Sequence, residues 1–183
     1  DGVASFVDAH TVSVQAGEQH IELQADRLFI NTGAVPVMPA IAGLEQSTHV
    51  YTSTEVLNQQ LKPQRLAVIG AGPIGLEFAS TYAALGVEVT LYHRRAQLLP
   101  HDEPSVAQAV AQALEEQGIR RVFASDIQQV RDTDQGVAVK SGGDEQVYDA
   151  VLVAAGRRPN TSQLDLAAAG VKTDERGAVV VND

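Results

Sequence analysis

One stretch of the sequence, residues 66–93, constrains the fold more than any other. An apolar run leads into three glycines at G-x-G-x-x-G spacing, which are Gly70, Gly72 and Gly75. Apolar residues then recur at helical intervals, and residues 87–93 are typical of a second strand. A strand, a glycine turn, a helix and a second strand predict an α/β fold with a Rossmann-like parallel sheet.

Each glycine has a physical reason to stand where it does in such a unit. Gly70 permits a tight turn, Gly72 lets the backbone approach a diphosphate, and Gly75 allows the helix to pack closely on the sheet. The helix N-terminus presents free N–H groups and the positive end of the helix dipole, and both favour an anion. The pattern therefore predicts that the chain holds a dinucleotide, with a purely structural glycine turn as the alternative.

Charge and residue types exclude several classes of function. A net charge of −10 argues against a nucleic-acid surface. No apolar run approaches membrane-spanning length and no targeting pattern is visible, so we expect no membrane partner and a cytoplasmic protein. The absence of cysteine excludes a disulfide, a thiolate metal site and a redox dithiol within these 183 residues. The five histidines lack metal-ligand spacing, so we predict no metal site.

Outside residues 66–93, most of the sequence patterns predict β-strands. Residues 2–31 predict short strands with turns, including a buried strand at Leu28–Ile30. A fully apolar segment, residues 150–154, predicts a strand buried on both faces of the parallel sheet. Three segments before it predict an antiparallel β-meander, and they are residues 127–131, 136–140 and 146–148.

Two further helices are predicted from signals at their N-termini. Thr52 with Glu55 three residues later is typical of a capping box. Asp102 and Glu103 before Pro104 predict capping of the second of these helices, rather than an acid pair with a chemical role. The apolar face of that helix is expected to consist of Val106, Val110 and Leu114.

Two similar junctions bracket the glycine turn. In each, an apolar strand ends at a glycine, at residues 30–33 and again at residues 153–156. A domain inserted into another domain would show such a pair of crossing points. The alternative is that both are ordinary strands that end at a glycine.

Three motifs together resemble a known family. They are, in order, Thr32-Gly-Ala-Val-Pro36, Gly70-x-Gly-x-x-Gly-x-Glu77-x-Ala79 and Ala155-Gly-Arg-Arg-Pro-Asn160. With these motifs at this spacing, the chain resembles the pyridine nucleotide–disulfide oxidoreductases, the family of lipoamide dehydrogenase, glutathione reductase and mercuric reductase. The resemblance implies that residues 41–155 form an inserted NAD(P)H-binding domain. Strands of a split FAD-binding domain would flank it, as residues 1–40 and the return segment 156–183.

By the same resemblance, other hallmarks of the family are expected outside this sequence. An FAD fingerprint and a redox-active cysteine pair would precede Asp1. A Gly-Asp segment for FAD and a dimerisation domain would follow Asp183. We therefore expect a fragment that does not hold FAD firmly or turn over alone, and a homodimer only for the full-length protein.

The resemblance also assigns roles to individual residues. Hydride would cross to the flavin near Glu77, the catalytic candidate, although simple stabilisation of the first helical turn is an alternative. Gly156 would lie near the nicotinamide, with Thr32 and Gly33 near FAD. Ile127 would lie near the adenine, with core packing as its alternative. The diphosphate would be wrapped by Gly70, Gly72, Pro73, Ile74 and Gly75.

The end of the second strand bears on the choice between NADP(H) and NAD(H). A carboxylate there would bind the ribose 2′-hydroxyl, whereas an arginine would pair with a 2′-phosphate. The sequence supplies His93, Arg94 and Arg95, and a guanidinium can bind phosphate oxygens through two hydrogen bonds. Arg94 also matches an arginine of the family's NADPH-using members. We predict a preference for NADP(H), with a solvated basic loop as the alternative.

These patterns predict a fragment of an enzyme. The first hypothesis is the NAD(P)H-binding portion of an FAD-dependent pyridine nucleotide–disulfide oxidoreductase, which positions the nicotinamide for hydride transfer to flavin. A stand-alone dinucleotide-binding or regulatory module is a second hypothesis. A third is a relative of the NADH oxidases or ferredoxin reductases that lacks the dithiol.

Overall fold

The computed structural model describes residues 2–59, 61–99 and 103–182. The chain forms two compact units. The larger unit is Pro36–Gly156, and the smaller unit combines residues 1–35 with residues 157–183. The larger unit is thus inserted into the smaller one along the chain. Its identity as an NAD(P)H-binding domain, and that of the smaller unit as part of an FAD-binding domain, stay predictions.

The described residues form thirteen strands and three helices. The first part of the chain contains β1 Val3–Phe6, β2 Thr11–Ala16, β3 Gln19–Gln24, β4 Ala34–Pro36, β5 Val50–Thr52, α1 Ser53–Asn58, β6 Arg65–Ile69 and α2 Pro73–Ala84. The second part contains β7 Glu88–His93, α3 Pro104–Glu116, β8 Arg120–Phe123, β9 Ile127–Thr133, β10 Gly136–Ser141, β11 Asp144–Tyr148, β12 Ala150–Val153 and β13 Arg157–Pro159. None of the helices in these residues is long and apolar enough to cross a membrane.

A five-stranded parallel sheet is the centre of the larger unit. Its strand order is β5-β12-β6-β7-β8, and every neighbouring pair is parallel. Alternate residues along each strand face opposite layers, because side chains in a strand alternate between the two faces. Leu66, Val68 and Leu91 face a core shared with the helices, while Ala67 and Ile69 face another core.

The second core of the larger unit is covered by the antiparallel sheet β11-β10-β9. Val130, Val137 and Val139 of that sheet pack against Tyr92 and other residues of the parallel sheet. The Tyr92 hydroxyl lies 2.8 Å from the Tyr148 hydroxyl, and burial together with this contact raises the pKa of Tyr92. The predicted parallel sheet with helices and an antiparallel meander is therefore confirmed.

The smaller unit contains the antiparallel sheet β1-β2-β3 and, except for Pro36, the residues of the two-stranded sheet β4-β13. The strands predicted between residues 2 and 24 are confirmed. The buried strand predicted at Leu28–Ile30 is wrong, since these residues have no strand assignment and Phe29 is 88% exposed. A strand needs a neighbouring strand to satisfy its backbone groups, and residues 28–30 pair with none of the described residues.

The helix termini confirm one capping prediction and correct another. The Thr52 N–H donates to the Glu55 carboxylate at 2.7 Å, and the Glu55 N–H donates to the Thr52 hydroxyl, so the capping box is present. Glu103 occupies the N-cap of α3, but its side chain makes no capping hydrogen bond. Asp102, the other predicted cap, lies outside the described residues.

The predicted apolar face of α3 is correct only in part. Leu114 is buried and Val110 packs against the core, but Val106 is 47% exposed and Ala107 is buried instead. Each step of four residues advances about 40° around a helix, so Val106 lies about 80° away from Leu114. Positions spaced four residues apart, such as Val106, Val110 and Leu114, therefore do not all lie on the buried face of the helix.

The carboxylate of Asp149 ties the start of β6 to the link between β11 and β12. It accepts the backbone N–H groups of Gln64 and Arg65, each at 2.8 Å, and the Arg65 guanidinium at 2.8 Å. Partial burial alone would raise the pKa of Asp149, but the hydrogen bonds from Arg65 and Gln64 outweigh it and hold the pKa below its usual value. The ionised form therefore stabilises the folded state.

We predict that Asp149→Ala lowers the free energy of unfolding by about 2 kcal/mol at neutral pH, because three hydrogen bonds to a carboxylate are lost. The pKa of Asp149 is lowered in the folded state. The loss in free energy of unfolding is therefore largest above about pH 4, and it shrinks as the pH falls through the folded-state pKa. Urea denaturation followed by tyrosine fluorescence measures it, because all four tyrosines lie in the larger unit.

The matched control is Asp126→Ala, which removes an exposed aspartate from the segment before β9. This control should unfold like the wild type. Equal stability of Asp149→Ala and the wild type at neutral pH would contradict the role given to Asp149.

Candidate dinucleotide site

The turn after β6 depends on Gly70. Its φ of +112° lies in a region that residues with a side chain rarely adopt. A Cβ at this position would lie 2.3 Å from the Ala154 carbonyl oxygen. The Gly70 N–H donates to the Tyr92 carbonyl at 2.9 Å. The turn is therefore held between the ends of β7 and β12, and only glycine fits.

Gly75 brings α2 against the same turn. A Cβ on Gly75 would lie 1.9 Å from the Gly70 carbonyl oxygen and 3.4 Å from the Ala154 side chain. No side chain can occupy that space without moving the backbone. The close packing of helix and strand expected from the glycine spacing is confirmed.

Gly72 differs from the other two glycines, because the space beside it is open. It is the N-cap of α2 with φ −80° and ψ 178°, and a Cβ there would meet nothing within 4 Å. Pro73 is the first helical residue, as its missing N–H allows. The Leu76 N–H donates to the Gly72 carbonyl at 3.0 Å, so the N–H groups of Ile74 and Gly75 have no partner within the helix. Backbone donors and open space therefore lie together at this turn.

The turn also lies at the point where the strand order reverses. From β6 the chain continues to β7 and β8 on one side, whereas β12 and β5 lie on the other side. Ligands of open α/β sheets bind in the crevice outside the carboxyl ends of the strands at such a point. Gly156 follows β12 on this side, with φ +126° and open space where a side chain would stand.

His93, Arg94 and Arg95 follow one another at the carboxyl end of β7. His93 is the last residue of the strand, and both arginines are exposed. Among the described residues, ion pairs are formed by other arginines, which are Arg65, Arg121 and Arg131. The structure thus brings the glycine turn, Gly156 and these three residues to one edge of the sheet.

Glu77 lies further along α2 than expected. The helix begins at Pro73, so Glu77 is its fifth residue, and the first turn contains no acidic residue. The expectation of stabilisation in the first turn is therefore wrong, because the helix dipole acts mainly within that turn. The exposed Glu77 side chain lines an open groove of about 510 Å³ between α2 and α3, together with Leu76, Ser80 and Leu99.

The remaining predicted positions lie elsewhere. Ile127 begins β9 and packs against the core beneath the antiparallel sheet, which supports the packing alternative for its side chain. Thr32 and Gly33 lie in the smaller unit, where Asn160 donates its backbone N–H to the Gly33 carbonyl at 3.0 Å and its side-chain amide to the Thr32 carbonyl at 3.3 Å. Arg157 donates to the Ala34 carbonyl in the same unit.

Ala154 was not predicted from the sequence as part of the site. Its carbonyl faces Gly70 and its methyl group faces Gly75, two positions about eighty residues earlier in the chain. The only available signal was a small residue directly after a fully apolar strand. No group of three or more metal-ligating side chains is found among the residues that the structure describes.

A parallel sheet with a glycine turn at its switch point is the arrangement found in many nucleotide-binding α/β proteins. Comparison with known proteins is more specific. The family model described as Pyridine nucleotide-disulphide oxidoreductase matches residues 1–183, so the chain belongs to this family. The resemblance found in the sequence is therefore confirmed at the level of the family.

Individual relatives agree with this membership. RclA of Escherichia coli, described as a pyridine nucleotide-disulfide oxidoreductase, is 36% identical over 182 residues, and a mercuric reductase of Lysinibacillus sphaericus is 41% identical over 186 residues. The whole chain is covered in both cases, but only 41% and 33% of these relatives. The chain thus spans well under half the length of the curated relatives it matches.

Two solved structures show the same fold. The flavoprotein disulfide reductase RclA from Escherichia coli superimposes with a TM-score of 0.93 and 35% identity, over 100% of this chain and 41% of that one. A water-forming NADH oxidase from Lactobacillus brevis, bound to NADH, superimposes with a TM-score of 0.86 and 25% identity, over 100% of this chain and 42% of that one.

We predict that Gly75→Ala lowers the free energy of unfolding by about 1–3 kcal/mol, since the added methyl group forces α2 away from the Gly70 carbonyl. Gly72→Ala is the matched control, because its methyl group enters open space at an ordinary backbone conformation. The control should lose less than about 1 kcal/mol. Urea denaturation measures the free energy of unfolding of both variants. Equal losses in the two variants would contradict the close packing of α2 on the turn at Gly70.

Proposed function

We propose that the larger unit binds the diphosphate of a nicotinamide dinucleotide at the glycine turn. The observation that carries this proposal is the open space beside Gly72, next to the N–H groups of Ile74 and Gly75. A diphosphate is an anion that accepts hydrogen bonds, and the start of α2 supplies both N–H donors and the positive end of a helix dipole. Gly70, Pro73 and Gly156 lie at the same edge of the sheet and would also line the dinucleotide site.

We propose that this unit serves an FAD-dependent oxidoreductase in the full-length protein. The family membership supports this, as do the names of relatives, which include an oxidoreductase, a mercuric reductase and a dihydrolipoyl dehydrogenase. When both cofactors are bound, the nicotinamide supplies hydride for reduction of the flavin. Glu77 would act near the nicotinamide, and Ile127 near the adenine through its backbone. In the smaller unit, Thr32 and Gly33 would lie near the flavin.

We further propose that the dinucleotide is NADP(H) rather than NAD(H). The residues at the end of β7 are a histidine and two exposed arginines, and no carboxylate stands among them to bind a ribose 2′-hydroxyl. The guanidinium groups of Arg94 and Arg95 can form paired hydrogen bonds with a 2′-phosphate. His93, the last residue of β7, stands directly before these two arginines.

Isothermal titration of the 183-residue chain tests the proposal with NADPH and NADH. We predict tighter binding of NADPH. Arg94→Ala should weaken NADPH binding by about tenfold to a hundredfold, because a charge-assisted contact to the phosphate is lost. It should leave NADH binding within about twofold of the wild type, since NADH lacks that phosphate.

Lys140→Ala is the matched control for charge, because it removes an exposed cation from β10 in the same unit. It should leave both affinities unchanged. Absence of binding of either dinucleotide to the wild type would overturn the dinucleotide proposal. An equal loss of NADPH and NADH binding in Arg94→Ala would overturn only the assignment of Arg94 to the 2′-phosphate.

A further inference from the structure

The exposed arginines stand on a loop that is fixed at several points. We call residues 94–97 the arginine loop. The His93 side chain donates from Nε2 to the Gln97 carbonyl at 3.0 Å and so closes the loop from one end to the other. The Arg95 carbonyl accepts the Ala124 N–H at 3.2 Å, and the His93 carbonyl accepts the Ser125 N–H at 3.0 Å. The loop is therefore attached to the segment that follows β8.

A stack of side chains supports the histidine ring. The Phe123 ring meets the His93 ring edge to face, with 6.5 Å between centroids and 79° between planes. The Arg121 guanidinium carbon lies 5.9 Å from the centre of the Phe123 ring. Arg121 is itself fixed to α3, because it donates to the Ala111 carbonyl and to the Glu115 carboxylate, each at 2.8 Å. Contacts thus run without a gap from α3 to the arginine loop.

Two further observations indicate that the contacts of Phe123 with His93 and of Ala124 with the arginine loop have a function beyond packing. Phe123 is 37% exposed, so the stack lies at the surface and contributes little to the buried core. Ala124 has φ +49°, a left-handed conformation that residues other than glycine rarely adopt. Its N–H is the one that binds the Arg95 carbonyl. Backbone strain of this kind tends to occur where a fixed geometry serves a function.

We propose that His93 and Phe123 are positioning residues that hold the arginine loop in the conformation that accepts a 2′-phosphate. This inference rests on the proposed function and extends it. Binding is weakened when loops and long side chains must be ordered, so a loop fixed beforehand binds more tightly. His93 acts through the Gln97 carbonyl and not as a phosphate ligand, because its Nε2 already donates to that carbonyl.

The proposal predicts different NADPH affinities for two variants of His93. His93→Ala removes the donor to the Gln97 carbonyl, whereas His93→Gln can still place an amide N–H near the position of Nε2. Phe123→Leu keeps an apolar side chain but removes the aromatic ring. His20→Ala is the control, since it removes another surface histidine in the smaller unit.

Isothermal titration of the 183-residue chain with NADPH and NADH measures the result. We expect His93→Ala and Phe123→Leu to weaken NADPH binding by about three- to tenfold, the effect of one lost neutral interaction. NADH binding should stay within about twofold, because NADH lacks the phosphate that the loop would contact. His93→Gln should recover most of the NADPH affinity. This change in selectivity is one that a merely structural role would not produce.

Three results would overturn the proposal, and a fourth would overturn the proposed function. Equal losses in His93→Gln and His93→Ala would mean that the imidazole binds the phosphate itself. If His93→Ala and Phe123→Leu weakened NADPH and NADH binding equally, or weakened neither, the stack of His93 and Phe123 would not determine the preference for NADPH over NADH. Failure of the wild type to bind either dinucleotide in the same titration would instead overturn the proposed function on which this inference rests.

Discussion

The contact between two backbone segments at the glycine turn determines the arrangement of the larger unit. Gly75 lies so close to the Gly70 carbonyl, and Gly70 so close to the Ala154 carbonyl, that no side chain fits at either glycine. Interiors are close-packed, so this approach fixes α2 on β6 and β12 beside the turn. The N-terminus of α2 therefore opens at the carboxyl edge of the parallel sheet, where the strand order reverses. The proposed diphosphate site is a consequence of this packing.

Charge determines what can bind at that edge. The chain carries a net charge of −10, so its overall field repels an anionic dinucleotide. Salt screens charges separated by more than about 10 Å, so local donors decide binding at a surface site. The N-terminus of α2 supplies such donors at the turn, and Arg94 and Arg95 supply them at the end of β7. The His93–Phe123 stack reduces the cost of ordering the arginine loop.

Much of this structure could be predicted, because the decisive patterns are local. The glycine spacing, the capping box at Thr52 and the alternation of the meander each involve neighbouring residues. Two of the wrong predictions came from treating an apolar pattern as burial, since Phe29 is exposed and so is Val106. Two others, at Glu77 and Glu103, came from placing a carboxylate incorrectly relative to the start of a helix. Pairs such as Tyr92 with Tyr148, or Gly75 with Ala154, could not be predicted, since only the folded chain brings these distant positions together. The family resemblance supplied the site roles that local patterns could not, and those roles stay predictions.

The central claim is that a diphosphate lies against the bare backbone at Gly72. Titration of Gly72→Ala with NADPH and with NADH tests it most directly, because the added methyl group enters only that open space and should leave the fold intact. We predict that both affinities fall together by about tenfold or more, since both dinucleotides share the diphosphate and a close approach of the backbone is blocked. Wild-type affinity for both dinucleotides in a folded Gly72→Ala variant would contradict the account.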